Sequence, residues 1–161
     1  KPLYKKDKCT YCGVCSEVCP FNAIKIGDKD WKWSNRSCFG CGVCVDNCKF
    51  NALEYKRYDM QYTLACAAKA CVDNKNVIYV NEVKRISRNC DCDPFSGPII
   101  CPDIGYVASD DIVAVDTASL DLIHNGKPDL FKKTHHVDPE KQLQYGEEIG
   151  LGTTEYELIQ M

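Results

Sequence analysis

The sequence predicts an α+β protein in two parts, a small cysteine-rich part over residues 1–57 and a small α/β part over residues 58–161. Three observations carry that prediction. The first is a cysteine pattern met twice, Cys9, Cys12, Cys15, Cys19 and then Cys38, Cys41, Cys44, Cys48, each copy reading C-x-x-C-x-x-C-x-x-x-C. The second is a change of composition after Arg57, where an alanine-rich stretch sets Tyr58, Tyr62, Ala65 and Ala68 at helical spacing. The third is the alternation of strand-like and helix-like segments that follows, which argues an α/β layer.

The two cysteine runs belong to an internal repeat with an offset of 29 residues: Gly13-Val14-Cys15 returns as Gly42-Val43-Cys44, and Phe21-Asn22-Ala23-Ile24 as Phe50-Asn51-Ala52-Leu53. Duplication of a half-site is the simplest reading. Three cysteines at three-residue spacing in a tight loop can aim three sulfurs at one compact centre, and Gly13 and Gly42 give the backbone the freedom to close around it. This is the run that wraps a [4Fe-4S] cubane. Residues 9–53 resemble a bacterial two-cluster ferredoxin, down to Cys19-Pro20. In such ferredoxins the fourth cysteine of each run ligates the other cluster. The resemblance therefore implies two [4Fe-4S] clusters, one on Cys9, Cys12, Cys15 and Cys48 and one on Cys38, Cys41, Cys44 and Cys19. One departure is Lys49, which stands where the repeat would place a second proline and puts a cation beside the first cluster.

Zinc also takes C-x-x-C pairs, but it needs four ligands and prefers two pairs separated by a longer loop. A disulfide framework is the other alternative, since 13 cysteines in 161 residues is dense. The odd count, the metal-type spacing and the lack of an apolar signal segment argue against it and for a reducing, cytoplasmic setting. The net charge of −3 offers no basic face of the kind that dominates nucleic-acid affinity. No apolar run approaches the roughly 20 residues of a membrane span. The chain opens on Lys1 rather than Met, so the expectation is a processed product or part of something longer.

Between the cysteine runs, Ala23–Ile26 and Trp31–Ser34 alternate across Gly27-Asp28-Lys29-Asp30 as a strand pair around a turn. Trp31 and Trp33 are read as packing residues with no redox role. Beyond Arg57 a helix of about four turns runs to about Asn74. Residues 76–81 then read as a buried strand, residues 88–98 as a turn-rich loop, and residues 104–108 as a second strand. Ser109 is the expected cap of a helix whose apolar face is Ile112, Val115, Leu122 and Ile123, ended by Asn125-Gly126. A short helix opened by Asp138-Pro139 and closed by Gly146 or Gly150 follows. Residues 156–159 read as a short final strand.

The second part carries its own resemblance. Cys90-Asp91-Cys92, Pro102-Asp103-Ile104-Gly105, the run 108–116, Ala118-Ser119-Leu120-Asp121-Leu122-Ile123 and Gly150-Leu151-Gly152 resemble the C-terminal part of the domain of unknown function 362 family. In that family a two-cluster ferredoxin sits within an α/β domain, and no reaction is settled. The chain departs from the pattern by starting at the ferredoxin. The resemblance thus implies that the family's N-terminal half, or a partner chain in its place, covers the α/β part.

Five cysteines lie outside the runs. Cys90 and Cys92 in the loop, with Cys101, are candidates for a third metal or reactive-cysteine site, joined by one of Cys66 and Cys71. The last two lie about 140° apart around a helix and cannot both face one centre. The plainer reading is buried thiols packed as small apolar residues. Asp103, Asp110, Asp111, Asp116 and Asp121 are read as capping and solvation, and His124 as a helix-terminus charge. No phosphate loop or dinucleotide fingerprint occurs. The sequence thus points to an electron-transfer module or oxidoreductase subunit with a redox partner protein or larger complex, rather than to a catalyst by itself. The alternative is an iron-sulfur enzyme working at Cys90, Cys92 and Cys101.

Overall fold

The computed structural model describes residues 1–90 and 95–160, and it is a mixture of helices and small sheets, an α+β protein. It divides into two compact units, Lys1–Thr63 with His135–Val137, and Leu64–Thr134 with Asp138–Met161.

The first unit holds four short strands, β1 (Pro2–Tyr4), β2 (Ile24–Gly27), β3 (Asp30–Trp33) and β4 (Leu53–Tyr55), and two single-turn helices, α1 (Val14–Glu17) and α2 (Val43–Asp46). The expected hairpin is β2 with β3, antiparallel, with Gly27 opposite Asp30. Its turn is closed by Lys29 at φ +51°. Sequence patterning did not find β1 and β4, which are three residues each and too short to show an alternation.

The repeat governs this unit down to individual hydrogen bonds. Tyr4 faces Leu53 in the β1–β4 pair and Trp33 faces Ile24 in the β3–β2 pair, so the 29-residue shift carries one ladder onto the other. Each sheet takes its first strand from one copy and its last from the other. The shift also carries Lys5 N–H to Ala52 O onto Ser34 N–H to Ala23 O, both 2.8 Å. Gly13 at φ +86° and Gly42 at φ +84° open the two short helices in a left-handed conformation that a side chain disfavours. Interchange of the sheet partners draws the two cysteine runs around one small core of Ile24, Cys44 and Leu53.

In the second unit, α3 (Met60–Val72), whose first turn belongs to the first unit, is followed by β5 (Tyr79–Val83), β6 (Gly105–Ser109), α4 (Ile112–Gly126), α5 (Leu130–His135) and α6 (Glu140–Glu148). The two strands pair antiparallel, with Asn81 opposite Val107. Val83, Cys101, Val107, Val115, Ala118 and Ile123 form the core between this sheet and α4.

Several sequence expectations change here. The strand expected at 76–81 lies at 79–83 and is covered on one face only, leaving Val80 62% exposed, and Ile78 just before it is 76% exposed. No strand forms at 156–159 among the described residues. Helix α5 was not expected, because its sequence is polar and short.

The cap of α4 is Asp111 rather than Ser109. Asp111 Oδ1 accepts from Val113 N–H (2.8 Å) and Ala114 N–H (2.9 Å), while Ser109 Oγ accepts from Asp111 N–H at 3.0 Å. Its second oxygen accepts from Thr153 N–H at 3.0 Å, so the tail is tied to the helix start. A Cβ on Gly152 would stand 2.1 Å from Asp111 Oδ1, which is why the Gly150-Leu151-Gly152 segment ends on glycine there. Helix α4 runs through Asn125-Gly126 and ends at Lys127, whose N–H donates to Ile123 O. Helix α6 likewise runs through Gly146 and is closed by Gly150 at φ +69°. A Cβ at Gly146 would meet Val113 Cγ2 at 2.9 Å, so the glycine allows α6 to approach α4 closely.

Candidate metal centre

Two pockets open in the first unit, and each is lined by four of the eight cysteines. The first gathers Cys9, Cys12, Cys15 and Cys48, and holds about 370 Å³ of empty space with its open mouth included. The second gathers Cys19, Cys38, Cys41 and Cys44 around about 340 Å³. The exchange of the fourth cysteine between runs follows from the backbone. The third cysteine of each run, Cys15 or Cys44, lies in a single turn of helix, α1 or α2, and the chain beyond that turn places Cys19 or Cys48 in the pocket of the other run.

The chemistry of the donor set tests what these pockets can hold. Burial pushes the Cys15 thiol up, and Cys12, Cys9 and Cys48 nearby push it further, while the ring N–H of Trp31 opposes the rise. Burial also raises Cys41, against the Val43 N–H and with Cys19 and Cys38. Burial and then the neighbouring sulfurs Cys41, Cys15, Cys19 and Cys38 push Cys44 up to about 12. Burial among neighbouring sulfurs disfavours the thiolate at Cys15, Cys41 and Cys44 in the bare protein, whereas bound metal deprotonates a coordinating thiol outright. The pockets therefore suit a positively charged inorganic centre.

A single zinc would draw its sulfurs to about 2.3 Å from one point. Among the described residues, no group of three or more His, Cys, Asp or Glu converges closely enough to hold one ion. Four sulfurs that line one pocket without converging on a single point match a multi-iron cluster better. No disulfide joins any of the described cysteines. A main-chain N–H also reaches a sulfur directly, Ala23 N–H donating to Cys19 Sγ at 3.3 Å.

Trp31, given only a packing role by the sequence, stands in the wall of the first pocket together with Tyr4. Tyr4 and Trp31 line it, stacked on each other at 4.2 Å between centroids and 15° between planes. Only the cross-sheet pairing brings them there, but the repeat held a signal, since it sets Trp31 against Pro2, which lines the second pocket.

Of the other five cysteines, the four described, Cys66, Cys71, Cys90 and Cys101, form no group of metal ligands among the described residues. Cys101 is 4% exposed in the core of the second unit, packed as a small apolar residue. Cys90 lies at the surface, Cys66 is half-buried and Cys71 exposed on α3. Cys92 and the rest of the motif from Asp91 to Pro94 lie outside the described residues. The aspartates are engaged structurally: Asp103 accepts from Arg85 N–H (2.8 Å), Asp116 from Asn81 Nδ2 (2.7 Å) and Asp121 from Tyr156 Oη (2.8 Å).

Comparison with known proteins fits this geometry. The 4Fe-4S binding domain matches residues 2–25, which carry the first cysteine run. The domain of unknown function DUF362 matches residues 33–121, more than half of the chain, from the second run to the middle of α4. The chain belongs to the DUF362 family. It is an iron-sulfur member, with a 4Fe-4S binding domain joined to the DUF362 region. Over 22 residues it is 59% identical to an uncharacterized ferredoxin of Methanocaldococcus jannaschii, a stretch that is 14% of this chain and 36% of that protein. The chain thus spans about a third of the length of the curated relative it matches. No helix among the described residues is long and apolar enough to cross a membrane.

Proposed function

We propose that this DUF362 chain is an electron-transfer module with a ferredoxin-like first domain that carries two [4Fe-4S] clusters and exchanges electrons with an oxidoreductase partner. The observation that carries the reading is the pair of four-cysteine pockets, each built from three cysteines of one run and the fourth of the other. Cys9, Cys12, Cys15 and Cys48 would hold one cluster, and Cys38, Cys41, Cys44 and Cys19 the second. The clusters supply one-electron redox chemistry when bound. The chain's own residues hold the thiolates in place, limit the access of water and set the potentials through charge and hydrogen bonds.

Transfer between the two centres is favoured by their shared packing, since Cys15 and Cys48 of the first pocket and Cys44 of the second contact the same small core. Exposed thiols such as Cys12 suit a reducing compartment such as the cytoplasm. The test is iron and sulfide analysis after anaerobic reconstitution, followed by redox titration. About eight irons in two reversible one-electron centres are expected; one cluster, or zinc in place of iron, would refute the reading.

The partner is expected on the second unit. The outer face of the β5–β6 sheet exposes Val80 and Tyr106, with Ile78 exposed just before it, and among the described residues no further strand pairs with either edge. A partner chain, or a further half of a longer protein, in this place would bury more than about 1,000 Å² with an apolar centre. Sedimentation of the loaded chain as a stable monomer that binds no redox protein would count against it.

A further inference from the structure

The two pockets are not equivalent, and the difference lies in a side-chain donor. The indole Nε1–H of Trp31 is buried and makes no hydrogen bond of ordinary length and angle within the protein, yet it stands near enough to the Cys15 sulfur to oppose the rise of that thiol. A buried N–H without a partner is costly. Its ring forms part of the wall of the pocket that gathers Cys9, Cys12, Cys15 and Cys48, and stacking on Tyr4 fixes the ring's orientation. The repeat puts Pro2 at the matching position of the other pocket, and proline has neither a side-chain donor nor a main-chain N–H. Trp33 is the natural comparison within the chain: its Nε1 is also buried without a partner, yet it lines neither pocket.

We infer that Trp31 is a potential-setting residue, its indole N–H donating to a sulfur of the cluster in the first pocket and raising the reduction potential of that cluster alone. The inference rests on the two-cluster reading above. Reduction adds negative charge that spreads onto the sulfurs, and an N–H aimed at them favours the reduced state. A cluster sulfur would give the buried donor the well-formed hydrogen bond that the bare Cys15 thiol does not. Tyr4 holds the ring in place, and the pair marks the two centres as electronically distinct.

The test uses the anaerobically reconstituted full chain and its Trp31→Phe variant, which keeps the stacked ring and loses the donor. Iron content is measured first, because fewer than two clusters in the unsubstituted chain sinks the two-cluster reading whatever Trp31 does. With two clusters present, redox titration followed by electron paramagnetic resonance should show one centre moving to a more negative potential and the other unchanged. The change is expected to be up to about tenfold in the redox equilibrium, which is 59 mV for one electron. Trp33→Phe should move neither, and Trp31→His, which restores an N–H, should recover part of the shift. In the unsubstituted chain, exchange into deuterated water should shift iron–sulfur stretching bands in the resonance Raman spectrum. Two intact clusters whose potentials do not respond to Trp31→Phe, or respond together, overturn the inference, as does the same shift in Trp33→Phe. If Trp31→Phe fails to assemble, unshifted Raman bands in the unsubstituted chain decide against it on their own.

Discussion

Gly13 and Gly42 occupy matching places in the repeat, and their replacement by alanine should have unequal effects. Both have φ near +85°, so alanine at either position costs about 1–2 kcal/mol of backbone strain. Their surroundings differ. A Cβ on Gly13 would meet only the flexible end of Glu17 at 3.8 Å, whereas on Gly42 it would stand 2.4 Å from Cε1 and 2.9 Å from Oη of Tyr55. The tyrosine ring would have to move, and its hydroxyl would lose the 2.6 Å hydrogen bond it donates to Asp46 Oδ1. That bond is exposed to solvent, so about 1–2 kcal/mol is a fair value for the bond and the displaced packing together. Since 1.4 kcal/mol is a factor of ten, and most of the loss should fall on the unfolding rate, Gly42→Ala should lose its cluster absorbance in urea about tenfold faster than Gly13→Ala. Gly13→Ala in turn should be about tenfold faster than the unsubstituted chain. The repeat supplies the control as well, because Tyr55 matches Ile26. In a Tyr55→Ile background, Gly42→Ala should cost no more than Gly13→Ala. Equal rates for the two single variants, or no relief from Tyr55→Ile, would show that the clash with Tyr55 is not the cause.

Three further outcomes are expected. Cys48→Ser should damage the cluster held with Cys9, Cys12 and Cys15 and spare the other, and Cys19→Ser should do the reverse; spectroscopy showing the opposite assignment would overturn crossed ligation. Lys49→Gln should lower the potential of the first centre slightly, and the effect should shrink in high salt because the side chain is exposed; a potential indifferent to the charge at any ionic strength would remove the idea. Glu147 has its carboxyl held below the ordinary range by the backbone N–H and then the hydroxyl of Thr154, with Thr153 assisting. A lowered folded-state pKa means that its contribution is fully present above the ordinary glutamate value and is lost as pH falls through the lowered one. The Thr154 amide resonance should therefore move at a pH below the usual glutamate range, and Glu147→Gln should abolish that step; a step at the ordinary value would refute it.

Much of the metal centre was legible in the sequence because its information is local. The spacing of Cys9, Cys12 and Cys15 decides that three sulfurs face one point, and the 29-residue repeat announces a second copy. The hairpin of β2 and β3 was readable for the same reason, a short alternation around a turn. Local pattern also located α3 and α4, whose apolar positions recur with the helical period.

Other features depend on what meets across the chain. The pairing of β1 with β4 joins residues about fifty apart through strands of three residues, too short to leave a periodic trace. That pairing brings Tyr4 beside Trp31, so a residue that sequence alone reads as packing becomes part of a pocket wall. Asp111 displaces Ser109 as the cap of α4 because its second oxygen also receives Thr153 from a distant segment, a contact that no local window contains. The sheet of β5 and β6 is open on one face because packing on α4 covers only the other, and composition cannot tell a strand buried on both faces from one buried on a single face. The sequence by itself determined which atoms are available to hold a cluster and at what spacing. Tertiary structure decided which sulfurs share a pocket and which aromatic residues line it, because those depend on pairing between segments far apart in the chain.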